Sequence, residues 1–201
     1  MAGALVGWSF VGPRLPTAWR VAVQAIAGAL LVRATGAHLR LRPPGVWTGL
    51  RVGSAAGAAA AAAIAAAALL PPVRASMAAR EAPTSVPGWL LVRIPVGTVW
   101  AEEAAFRGAL SAVAAGAFGQ SAGKLLQASA FGLSHIADAR AAGDPVLPTV
   151  LVTGIAGWLF GWLAERSGSL AAPMLVHLAV NEAGAVAALT ARRLQRRPSR
   201  L

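Results

Sequence analysis

The sequence predicts an all-α membrane protein, a polytopic bundle of about six transmembrane helices forming a single domain over residues 1–201, with a kinked or split third segment. Three observations predict it. Hydrophobic residues make up 57% of the 201 positions and charged residues only 12%, which leaves too little polar surface for a protein surrounded by water. Several apolar stretches approach the ~20 residues that a helix needs to cross a hydrocarbon core of roughly 30 Å. Proline, glycine and arginine collect in the gaps between those stretches, as turn chemistry does. Helices are the expected elements because an open sheet would leave backbone groups unpaired in lipid.

The apolar runs are Thr17 to Val32, Val46 to Leu70, Pro87 to Phe118, Lys124 to Ala137, Val146 to Ala164 and Ser169 to Ala191. The first dozen residues are apolar, but they lack a leading basic region and are broken by Pro13 and Pro16, which argues against a cleaved signal peptide. The second run is dominated by alanine, which lets neighbouring helices approach closely in a membrane. The third run is longer than one crossing requires and holds Pro95 and Gly97, so a kink or a division into two helices is expected there. The motif-bearing core covers about 87–191.

The net charge of +11 does not point to nucleic acid, since no basic helix with interleaved aromatic residues is present. Basic residues in such a chain mark cytoplasmic loops. The tail carries Arg192, Arg193, Arg196, Arg197 and Arg200, and the expected location is the plasma membrane with the C-terminus in the cytoplasm. On six spans Arg74, Arg80 and Arg140 fall on that side, while Arg40 and Arg42 fall outside. With no cysteine in the chain, neither disulfides nor thiolate metal sites can form.

The informative residues are ionisable side chains inside apolar runs: Glu102, Glu103, Arg107, His135, His177 and Glu182. Insertion scales assign roughly 2.5–3.5 kcal/mol to an ionised side chain at a helix centre, so such groups face a bundle interior and act there. In AEEAAFRGAL, Glu103 and Arg107 stand four apart on one helical face and can pair, while Glu102 points about 100° away, free to take a proton from water. The plainer reading of the same residues is an interfacial turn paired to arginine. In AFGLSHIAD, Phe131 and His135 share a face and Asp138 stands near a helix end. In MLVHLAVNEAG, His177 and Asn181 project side by side, and Asn181 can orient an imidazole or hold a substrate oxygen. One carboxylate and two imidazoles on separate apolar helices can activate a water, directly or through a metal, for attack on a peptide carbonyl. Two histidines and a glutamate also match a common catalytic zinc ligand set.

In order, EEAAFR, FGLSH and HLAVN resemble the motifs of the CPBP family, the CAAX protease and bacteriocin-processing (Abi) membrane proteins that include the type II CAAX prenyl endopeptidases. The resemblance spans Glu102 to Asn181. It implies an intramembrane protease with a cavity facing cytoplasm and membrane, in which Glu102 activates the hydrolytic water and Glu103 and Arg107 form a supporting pair. His135 and His177 would hold the water, a zinc ion or the oxyanion, and Asn181 would complete the oxyanion site. A free Glu102 base without a tightly held metal is the favoured version, with metal dependence open. The implied partners are the lipid bilayer and a peptide or protein substrate at the membrane. A proton-coupled transporter would favour matching broken helices in two halves, and no internal repeat is evident; a non-proteolytic scaffold of the same fold is the other alternative. His38 reads as a loop residue, Trp47, Trp89, Trp100, Trp158 and Trp162 as an aromatic belt, and Arg93 and Lys124 as side chains reaching for the headgroups.

Overall fold

A computed structural model of the chain describes residues 1–196, and every regular element among them is helical. Arg197 and Arg200 of the basic tail lie outside the described residues. The helices are α1 (Ala2–Val11), α2 (Thr17–Thr35), α3 (Gly45–Ala67), α4 (Pro71–Ala79), α5 (residues 86–118), α6 (Gln120–Ser134), α7 (Ile136–Ala142), α8 (Val146–Ser167) and α9 (Ala171–Gln195). By length and composition α3, α8 and α9 can each cross a membrane, and α2, α5 and α6 pack beside them to complete the bundle.

Large apolar side chains point outward: Ile26, Leu30, Leu91, Leu125, Leu147, Val152 and Ile155 are all exposed, whereas Glu103, Arg107, Gln127 and His177 are buried. That distribution inverts the one expected in water and suits a protein solvated by lipid. The enclosed apolar clusters are small. Phe106, Leu110 and Phe131 pack beneath α1, and Phe160, Leu163 and Val176 join α8 to α9.

The irregularity expected around Pro95 is a change of winding. Helix α5 runs on from residue 86 to 118, but Trp89–Trp100 and Glu103–Leu110 are wound as π-helix. Proline gives no N–H and collides with the carbonyl one α-helical turn back, and the wider i→i+5 spiral displaces that carbonyl. One consequence reaches the site: Trp89, Arg93, Thr98 and Glu102, spaced four, five and four apart, come to share one face and line one cavity. At a period of 3.6 they would not. Trp100 is no belt residue; its indole Nε1 donates to the Ala25 carbonyl at 3.1 Å and ties α5 to α2. Gly119, with φ of 79°, is the single-residue joint that turns α5 into α6.

The close contact of α3 with α9 is made by glycine rather than by the alanine run. Gly49, Gly53 and Gly57 are the buried residues of α3 and form a stripe against α9. A Cβ added at Gly53 would lie 2.8 Å from both the Cα and the carbonyl oxygen of Ala172, and one at Gly49 would lie 2.8 Å from Ser169 Cβ. Small residues at four-residue spacing let membrane helices meet backbone to backbone. The connector after α2 is held to the turn before α9, where Ser169 Oγ donates to the Arg40 carbonyl at 2.8 Å and Leu170 N to the Leu39 carbonyl at 3.0 Å.

Gly53→Leu is expected to force α3 away from α9 and to cost at least about 1–3 kcal/mol, read as a fall in the thermal unfolding midpoint in detergent. Gly116→Ala, where an added Cβ meets nothing within 4 Å, should be neutral or slightly stabilising in the same measurement.

Candidate active site

The site begins on the π-wound part of α5. Glu103 is fully buried, and its Oε1 lies 3.0 Å from Arg107 NH1 and 2.8 Å from His177 Nδ1. A carboxylate accepts, so His177 Nδ1 is the protonated nitrogen and donates to Glu103. In the neutral ring Nε2 is then left bare, and it faces Glu102 Oε2 at 3.8 Å. The two adjacent glutamates therefore address opposite nitrogens of one imidazole, an arrangement hidden from a reading that set them 100° apart on a regular α-helix.

Arg107 rests against two aromatic rings. Its guanidinium carbon sits 3.8 Å from the centroid of the Phe131 ring and 5.0 Å from that of Phe160. Contacts of this kind contribute on the order of 2 kcal/mol when desolvated, and here they also keep the charge in place. Phe160 packs in turn on the His177 ring, with centroids 5.1 Å apart. Nothing in the sequence singled out Phe160, because an aromatic residue in an apolar run is indistinguishable from packing.

His135 was expected inside a helix; it stands instead at the break between α6 and α7, with φ −91° and ψ 1°. Its Nδ1 lies 2.7 Å from the Phe131 carbonyl, which can only accept, so Nδ1 donates and Nε2 is again the bare nitrogen. The broken helix makes that turn, and Asp138 begins the next helix rather than ending the first. Asn181 Nδ2 donates one hydrogen to the His177 carbonyl one turn back, at 3.0 Å. Its second hydrogen remains available.

Glu102, His135, His177 and Asn181 line one cavity of about 430 Å3. Glu103 and Arg107 stand behind it. Thr98, Thr153 and Phe160 also line it, together with the exposed Arg93, which the π winding sets on the same helix face as Glu102. Lys124 does not reach outward alone, being paired with Glu165 and placed 5.6 Å from the Trp158 ring. Glu182 takes no part in the cavity wall. As for zinc, anchoring each histidine through Nδ1 is the usual support of a ligand that binds through Nε2. Among the described residues no three His, Cys, Asp or Glu side chains are grouped closely enough to hold a metal ion as they stand.

The fold and the enclosed ionisable cluster define a helical integral membrane protein with a polar cavity. Residues 84–183 match the family model described as Type II CAAX prenyl endopeptidase Rce1-like, and the chain belongs to that family, which is one of CAAX-type intramembrane endopeptidases. The matched segment takes in α5 through Asn181 of α9 and so contains the whole cluster. No curated protein and no solved structure matches the chain.

Arg107→Met leaves the Glu103 charge buried without its cation and is expected to destabilise the fold by roughly 3–5 kcal/mol. Combining it with Glu103→Gln should recover most of that loss. Unfolding of the two variants side by side in detergent checks the sign and the recovery.

Proposed function

We propose that the chain hydrolyses an internal peptide bond of a membrane-associated substrate in the 430 Å3 cavity, with Glu102 as the base that activates water. The observation that carries this reading is the clamped imidazole: Glu103 holds His177 through Nδ1, and the opposite nitrogen faces Glu102 at 3.8 Å. Glu102 Oε2 is buried without a hydrogen-bond partner among the described residues, so it is free to accept from a water in the cavity. The bare Nε2 of His177 accepts the second hydrogen of the same water, which leaves its lone pair for a carbonyl, and His135 borders the same cavity. As the water attacks, its proton passes to Glu102, which returns it to the departing amine. The second Asn181 hydrogen and the Arg93 guanidinium face the space where the oxyanion would develop. Glu103 and Arg107 do not touch substrate; they fix the histidine.

The shape of the surroundings supports an endopeptidase. Glu102 and His135 also border a hollow of about 140 Å3 reaching toward Trp8 and Arg20, while Asn181 borders a larger one of about 650 Å3 floored by Gly184, Ala185 and Ala188. The reacting groups thus stand partway along a trough, which admits chain on both sides of a bond. The larger hollow is rimmed by Arg80 and Arg192, so the trough opens at the basic end of the bundle. That placement supports a cytoplasmic mouth in a plasma membrane, with the C-terminus on the same side. A membrane peptide or protein tail is the substrate class.

Glu102→Gln should lower cleavage of a membrane-embedded reporter by at least about 100-fold while helix content and insertion stay unchanged. Wild-type turnover in that variant rejects Glu102 as the base. The same assay with chelator, then with added zinc, separates the two water-activation chemistries: full activity under chelation supports the free carboxylate, and zinc-restored activity overturns it.

A further inference from the structure

A second cavity lies on the far side of Arg107. It measures about 290 Å3 and is lined by Arg107, Ser111, Lys124, Gly161, Glu165 and Ser169 among others. The catalytic cavity uses the first half of α5, the end of α6 and α8 up to Phe160; this one uses the second half of α5, the start of α6 and α8 from Gly161 onward. Helices α5 and α6 double back through the joint at Gly119. The two cavities therefore open at opposite ends of the bundle, and Arg107 stands in the partition between them.

The partition is full of polar atoms that no described residue satisfies. Gln127 is 0% exposed, yet neither its Nε2 nor its Oε1 has a partner, and the same holds for Nε, NH1 and NH2 of Arg107 and for Oε2 of Glu103. The Arg107–Glu103 contact is close enough for an ion pair but is not aligned as a hydrogen bond. Buried groups of this kind are strongly destabilising when dry, and native proteins satisfy them with ordered water where protein atoms do not reach. Room exists for it. A Cβ at Gly161 would come 3.1 Å from Gln127 Oε1 and 3.4 Å from Lys124 Cγ, so the bare glycine keeps an opening between the cavity and the amide. At about 30 Å3 each, several waters fit in the space outside.

We propose that the second cavity is a water vestibule. Waters enter past the Lys124–Glu165 ion pair, solvate Gln127 and the guanidinium of Arg107, and hydrate the Glu103–Arg107–His177 array from the membrane face opposite the mouth of the catalytic cavity. Substrate filling the catalytic cavity would leave this route open. Hydration of the partition stands apart from the peptidase reading; only its effect on turnover rests on that reading.

The chain has no cysteine, so single thiols report cleanly. Gln127→Cys in proteoliposomes is treated with silver ion, a thiol probe of nearly water size, from one membrane side at a time. A vestibule predicts rapid block from one side only, whereas a thiol at Ala128, buried beside it on α6, should react at least about 100-fold more slowly because only local opening exposes it. Equal, slow block at both positions overturns the proposal. Should the Gln127 variant not fold, Gly161→Cys places the thiol at the opening and is read by the same criterion. Gly161→Val, which plugs the opening without touching a reacting group, should lower kcat about threefold to tenfold with KM unchanged. Unaltered kcat in that variant overturns the hydrating role. A protein whose Gln127 thiol is blocked rapidly but which cleaves no reporter keeps its vestibule and loses the peptidase reading.

Discussion

The buried Glu103–Arg107–His177 array is the constraint on which this bundle depends. An ionised carboxylate and a guanidinium taken out of water are each costly to bury, and their close approach within a low-dielectric interior offsets that cost only if the geometry is kept. Keeping it involves four helices. Helix α5 supplies Glu103 and Arg107, α9 supplies His177, and α6 and α8 supply the Phe131 and Phe160 rings against which the cation rests. A membrane bundle gains little from apolar contact alone, because lipid is as apolar as its side chains. The polar centre therefore fixes relative position where hydrophobic packing would be indifferent to it.

From that centre the chemistry follows outward by one bond at a time. Glu103 takes one nitrogen of the imidazole and so determines which nitrogen is presented to the cavity. The Phe131 carbonyl does the same for His135. Two histidines anchored through Nδ1 and a carboxylate with an unpartnered oxygen line the same cavity. The family to which the chain belongs works at membranes on peptide bonds, and a site of this polarity enclosed by outward-facing leucine, isoleucine and valine suits that setting.

Much of this was legible in the sequence, and the part that was not has a physical cause. Composition announced lipid as the solvent, and six residues in three short motifs led to the cluster, because an ionisable side chain in an apolar run is rarely idle. Helical periodicity failed where the helix is not α. With π winding from Trp89 to Trp100 and Glu103 to Leu110, Arg93 and Thr98 come to line the same cavity as Glu102. His135 was placed within a helix since nothing in FGLSHIAD signals a break. Gln127 and Phe160 passed unremarked because a single amide or aromatic residue carries no pattern, and their importance lies in what meets them from other helices. Alanine richness drew attention in α3, while the three glycines at four-residue spacing are what the neighbour touches.

That glycine stripe divides the molecule mechanically. With Gly53 against the Ala172 backbone and Gly57 against the Leu175 carbonyl, the glycine edge of α3 has no side chain of its own to compress or rearrange, so α3 cannot move closer to α9 there without a backbone collision. The wall that carries His177 is thereby a fixed datum. Any widening to admit a bulkier passenger has to come from the other side of the cavity, where His135 and Asp138 stand at the break between α6 and α7.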